Sequence, residues 1–256
     1  MQKKFVGSLS SIGLMLCASL VVYAQGEIPA KTVAAPPLNV AAAAPIVITA
    51  ATTPLDLARA ALAAQGGEKF KNLKSVVLTG TVNFYAPNQT QPIPGKFVMV
   101  TVGNKIRVDI DASPLMVFKQ IFDGQRLYSS TPAVPLPPPA KFGPSVLGNF
   151  DQKGFTVTAL PDDKKLRGFR IADSEGNGTN FHIDPASGRV VKYVFDFGGY
   201  TFENENQKMK EVEGVLVAHN FTVRIETPQG VFLAEYSVKD VKLNQPVGDD
   251  VFVIPN

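Results

Sequence analysis

At 256 residues, with 25 basic and 22 acidic side chains, the chain can bury one sizeable core, but its net charge of +3 argues against a nucleic-acid binder. Removing an export segment that holds Lys3 and Lys4 leaves 23 basic against 22 acidic residues, a net charge of +1. The single cysteine, Cys17, lies inside that segment, so a disulfide framework and a cysteine-ligated metal centre are excluded from the mature chain.

Residues 1–24 have the three parts of a secretory signal: Lys3 and Lys4, an apolar run from Phe5 to Val22, and small side chains at Val22 and Ala24. Cleavage after Ala24 is expected, with Gln25 as the mature start. Ser8, Ser10, Ser11, Gly13 and Ser19 dilute the run and favour cleavage over anchoring. Leu16 stands where lipid attachment at Cys17 would need a small residue. Residues 25–52, built from Ala, Pro, Val and Thr, read as a disordered tether, with Ile46-Val47-Ile48 as an alternative edge strand.

A domain is expected over residues 53–256. Thr53 as N-cap, Pro54 at the first helical position and Asp56 in the first turn open a short helix, which Gly66-Gly67 ends. Leu55, Ala58, Leu62 and Gln65, with Ala61 beside them, form its expected apolar face. After Leu73 the period changes to two. Val76, Leu78, Gly80, Val82 and Phe84 face one way, and the alternation returns at Ile106, Val108 and Ile110, at Val191, Tyr193, Phe195 and Phe197, and from Val215 through Val217, His219, Phe221 and Val223 to Ile225. Turn signals at Gly103-Asn104, Asp123-Gly124, Asp173 to Gly178, Asp184 to Gly188, Gly198-Gly199, Glu213-Gly214 and Gln229-Gly230 separate these runs. Their close spacing predicts a mainly β fold: a curved antiparallel meander of ten or eleven strands, covered by one or more short helices. Six prolines between Thr131 and Pro144 place that stretch outside the sheet, as a crossing loop with one short helical turn, acting as a lid or a plain insertion.

The order of certain stretches resembles the LolA/LolB-like family of bacterial envelope proteins. They are the helix ending in Gly66-Gly67 and leading through Phe70 to Ser75; Phe122-Asp123-Gly124-Gln125-Arg126-Leu127-Tyr128; Phe181 to Val191; Glu211 to His219; and the ending from Leu243-Asn244 to Pro255. The resemblance implies an incomplete antiparallel β-barrel with a greasy concave side, periplasmic localisation, and lipid or the acyl groups of lipoproteins as partner. The chain departs from the best-known carriers in its tether, its proline-rich insertion and its lack of Trp.

Binding needs no reactive side chain, and none is predicted: no catalytic residue, no cofactor, no metal. His182 and His219 have no evident partner in sequence, and no Gly-x-Ser-x-Gly elbow is present, which counts against the hydrolase alternative. Asp173, Glu175, Asn177, Gly178 and Asp184 imitate part of a calcium loop, but two tight turns explain the same residues. The expected ligand lining is Phe84, Phe97, Met99, Met116, Phe118, Phe195, Phe197 and Phe202, with Leu147 and Phe150 from the covering segment. A monomer is expected. The rival from another class is an envelope sensor or protein-interaction module that reports to a membrane partner and uses the tether for reach.

Overall fold

The computed structural model of the chain describes residues 47–130 and 136–255. The predicted export signal, residues 25–46 of the predicted tether and residues 131–135 of the proline-rich stretch lie outside the described residues.

One antiparallel sheet carries the fold. Its strands are β1 (Ser75–Tyr85), β2 (Ile93–Val102), β3 (Lys105–Ala112), β4 (Met116–Phe122), β5 (Leu127–Ser129), β6 (Thr156–Ala159), β7 (Arg167–Ala172), β8 (Gly178–Ile183), β9 (Val190–Phe197), β10 (Tyr200–Val212), β11 (Val215–Thr227) and β12 (Gly230–Leu243). The order β5-β4-β3-β2-β1-β12-β11-β10-β9-β8-β7-β6 puts the first and last strands side by side in the middle. The sheet stays open between β5 and β6, which are consecutive in the chain, and the proline-rich segment joins these two edges. Twelve strands stand where ten or eleven were expected. Edge strands of three and four residues give too few alternations to register as a pattern, and short edges also limit unwanted pairing.

Helix α1 (Pro54–Gln65) starts on its expected cap, with the Asp56 amide donating to Thr53 Oγ1 at 3.2 Å and the Thr53 hydroxyl donating to the Asp56 carboxylate at 2.8 Å. Its buried face is Leu57, Ala58, Ala61 and Gln65, while Leu55 is exposed. The expected stripe is therefore rotated, because this small-residue face lets the helix lie close on β6 and β7. Gly66 stops it at φ +121°, where a Cβ would stand 2.6 Å from the Gly214 carbonyl oxygen, and a single-turn helix α2 (Glu68–Lys71) follows.

Under α1, Phe169, Ile171, Phe181, Ile183 and Val190 form a closed core with Val146, Leu147 and Phe150. Phe169 and Phe181 stack at 5.3 Å. Ile48 packs against this core by its side chain, and Arg167 donates to the carbonyl oxygens of Thr49 and Ala50, so residues 48–50 are tied to the domain without joining the sheet as a strand. On the convex side the C-terminal segment lays Val247, Val251, Phe252 and Ile254 over Val77, Val100 and Ile121. It is pinned there by Lys105 to Asp249 at 2.8 Å and by Arg107 Nη1 to the Val251 carbonyl at 2.9 Å.

Candidate ligand-binding face

Strand register defines the concave face residue by residue. Across the half made of β4, β3, β2, β1, β12 and β11, Phe118 opposes Ile110, Ile110 opposes Phe97, and Phe97 opposes Gly80, which opposes Val238. A second row runs from Val82 to Tyr236 to Phe221. These side chains form one apolar cluster, with Leu78, Phe84, Met99, Ile106, Met116 and Val223 against it. Phe97 meets Tyr236 edge-on at 4.9 Å, and Tyr236 stacks on Phe221 at 4.6 Å. Charge is sent to the other face, as Arg107, Asp109 and Asp111 alternate with Val108 and Ile110 along β3 and Arg107 pairs with Asp109 at 2.6 Å.

The ten predicted lining residues divide among three clusters. Phe84, Met99, Met116 and Phe118 are partly exposed on the open half, around a buried Phe97. Phe195, Phe197 and Phe202 lie further along the same face under Phe142 of the crossing segment, with Phe142 on Phe195 at 5.0 Å and Phe195 on Phe202 at 5.2 Å. Leu147 and Phe150 belong to the closed core under α1, Leu147 in a short helix α3 (Pro144–Leu147) and Phe150 just after it.

The two halves differ in room. Between α1, α3 and the sheet the space amounts to about 20 Å³, lined by Gln65, Phe70, Leu147 and Tyr193 among others. A polar cleft of about 300 Å³ opens beside the β8–β9 turn, at Asp184, Arg189, Asn206 and Gln207. A greasy guest fits neither, whereas the face of β1 to β4, β11 and β12, against which Leu136 of the crossing segment packs, gathers apolar side chains that stay partly exposed.

Two phenols are buried among the apolar side chains of the concave side. Burial raises the Tyr193 phenol well above its ordinary range and pushes that of Tyr236 up to about 12, so both stay neutral. Tyr236 and Phe142 are the functional candidates that sequence reasoning missed. Tyr236 follows the alternation Ala234, Tyr236, Val238 along β12, whereas nothing local marks Phe142. His219 also departs from expectation: the β10–β11 register steps twice, at Asn206/Lys208 and at Lys208/Met209, and Ala218 packs with the concave cluster in its place.

Both histidines have one buried ring nitrogen without a partner among the described residues, Nδ1 of His182 and Nε2 of His219. Desolvation lowers the pKa of each, helped by Lys192 at His182 and Lys210 at His219. A histidine depressed in the folded state favours the neutral form there, while the unfolded chain binds protons near pH ~6.5. Stability is therefore expected to be full above that range and to fall with pH through it. Urea unfolding followed from about pH 7.5 to about pH 5.5 should show the decline, and His182→Asn should flatten it.

In the calcium-like stretch Asp173 and Asp184 are occupied by turns and Glu175 pairs with Lys141. Asp173 accepts from the amides of Glu175 and Asn177, both at 2.9 Å, and Asp184 accepts from the Ser187 hydroxyl at 2.6 Å, which holds it below the usual carboxylate range. Among the described residues no three His, Asp or Glu side chains gather as a metal site, and no helix is long and apolar enough to cross a membrane.

The open sheet with helices on its concave side is similar in fold to solved structures of LolA-superfamily proteins. A LolA-superfamily protein from Nitrosomonas europaea superposes with a TM-score of 0.51 at 13% identity, covering 80% of this chain and 99% of the other. A putative outer membrane lipoprotein-sorting protein domain from Vibrio parahaemolyticus gives 0.46 at 11% identity over 77% and 95%. The likeness is one of fold. No protein-family model and no curated protein matches the chain at the level of sequence.

Proposed function

We propose that the protein is an exported, periplasmic carrier or chaperone that holds an acyl chain of a lipid or lipoprotein on the open half of its concave face. The observation that carries this reading is the continuous apolar surface of Leu78, Phe84, Met99, Met116 and Phe118, partly exposed around Phe97 and facing away from the charged side of the sheet. Affinity comes from apolar area removed from water at ~25 cal/mol per Å², and no covalent step is involved. The outward neighbours along β3 support the division of labour, since Lys105, Arg107 and Asp109 place the charge of that strand on the convex side.

Titration of the purified protein with a fluorescent fatty acid, together with mass spectrometry of its organic extract, tests the proposal. Saturable binding and co-purified acyl lipid are expected. A protein that extracts clean and leaves the probe unbound contradicts it.

A further inference from the structure

Asn204 sits in the middle of the concave wall, and its surroundings give its amide oxygen nothing to do. On β10 the side chains of Phe202, Asn204 and Asn206 alternate onto one face. Phe202 stacks on Phe195, and Asn206 donates from Nδ2 to the Val190 carbonyl at 3.1 Å. Asn204 lies between them, opposite Tyr193 of β9 and Val223 of β11. Its Oδ1 is buried and has no hydrogen-bond partner among the described residues. An orphaned buried acceptor costs about 1–3 kcal/mol and calls for a reason.

The other orphaned amide on this side, Gln65 Nε2, borders the 20 Å³ space, which suits a single water molecule. Asn204 does not line that space. It stands instead at the boundary between the two halves of the face, with Tyr193 against the crossing segment on one side and Val223, then Ala234 and Phe84, leading onto the open half on the other. The residue as a whole is only partly buried, and the bond that orients an asparagine amide turns in a broad, shallow potential. A guest arriving along Val223 can therefore meet either end of this amide.

We propose that Asn204 is the polar anchor of the acyl site and that its amide oxygen accepts a hydrogen bond from the guest. The inference rests on the acyl-binding reading above and adds a substrate class. The guest is an amphiphile whose first polar group after the hydrocarbon carries a donor, an amide N–H or a hydroxyl, and not a plain ester. The hydrocarbon lies over Val223, Ala234 and Phe84 while the donor stays at Asn204. This gives the guest one orientation on a face that is mainly apolar.

Competition against a bound fluorescent fatty acid tests it with decanamide and methyl decanoate, which share a chain length and differ in the donor. The wild-type protein is expected to prefer the amide by about tenfold. Asn204→Leu is expected to bring the two competitors together without losing the ester, and Asn204→Asp, which keeps an acceptor in the same place, to retain the preference. Equal competition in the wild-type protein, or a preference that survives Asn204→Leu, overturns the assignment. If the Leu variant does not fold, the wild-type pair and the Asp variant decide. Failure of the fatty acid itself to bind overturns the acyl reading and this inference with it, whereas equal binding of amide and ester overturns this inference alone.

Discussion

Gly80→Ala is expected to lower the unfolding free energy by about 3 kcal/mol, at the upper end of what overpacking costs, and the melting temperature by roughly 6–12 °C. A Cβ at this position would stand 2.1 Å from the Ser237 carbonyl oxygen and 2.9 Å from Phe97 Cε1. The first obstacle is backbone, so no side-chain rotation relieves it. Gly80 also sits where the β1–β12 register slips, between Thr79 and Gly80, and that pairing alone among the strand pairs joins the β1 to β5 half of the sheet to the β6 to β12 half. Moving β12 away opens the seam and displaces Phe97 from Tyr236. Thermal unfolding followed by circular dichroism reads the effect. A variant as stable as the wild type would show that the seam relaxes without cost, against the close packing described.

Phe118→Asp is expected to weaken fatty-acid binding by roughly thirtyfold while leaving the fold intact. Phe118 is partly exposed on the open half, opposite Ile110 and beside Met116. Exchanging the ring for a carboxylate removes about 80 Å² of apolar contact, worth about 2 kcal/mol, before any repulsion of an acidic headgroup is counted. Its neighbour Val117 points to the convex side and is 64% exposed. Val117→Asp introduces the same charge one residue away and is expected to leave affinity unchanged. Fluorescence titration of the two variants separates an effect of face from an effect of charge. Equal losses in both would mean that the concave side is not the binding side.

The legible parts of this fold were those set by local rules. Thr53, Pro54 and Asp56 write a helix start, and Val76 to Phe84 write a half-buried strand, because capping and period-two alternation depend only on neighbours in the chain. What escaped the sequence depended on partners far away. Leu57 in place of Leu55 on the buried face of α1 follows from how closely its alanines let it approach β6 and β7. The displacement of His219 by Ala218 follows from bulges whose cause lies in the pairing of two strands, and a one-residue slip exchanges faces. Of the proposed lining, only the grouping of some residues was legible. The aromatic and methionine positions of β1, β2 and β4 do lie together, but Leu147 and Phe150 could be assigned to the closed core only once α1 was seen above them. Phe142 carried no signal at all, since a proline-rich segment says where the sheet stops and not what its next aromatic will cover.

The assignment of the open half of the concave face as the binding surface is tested most directly by photo-crosslinking with a fatty acid bearing a diazirine near the end of its chain, followed by peptide mapping. Label is predicted on the side chains of Phe84, Met99, Met116 and Phe118 themselves, assigned residue by residue from fragment spectra of the labelled peptides. Label confined to the convex side, with Val98 and Val117 or the C-terminal segment, would contradict the account.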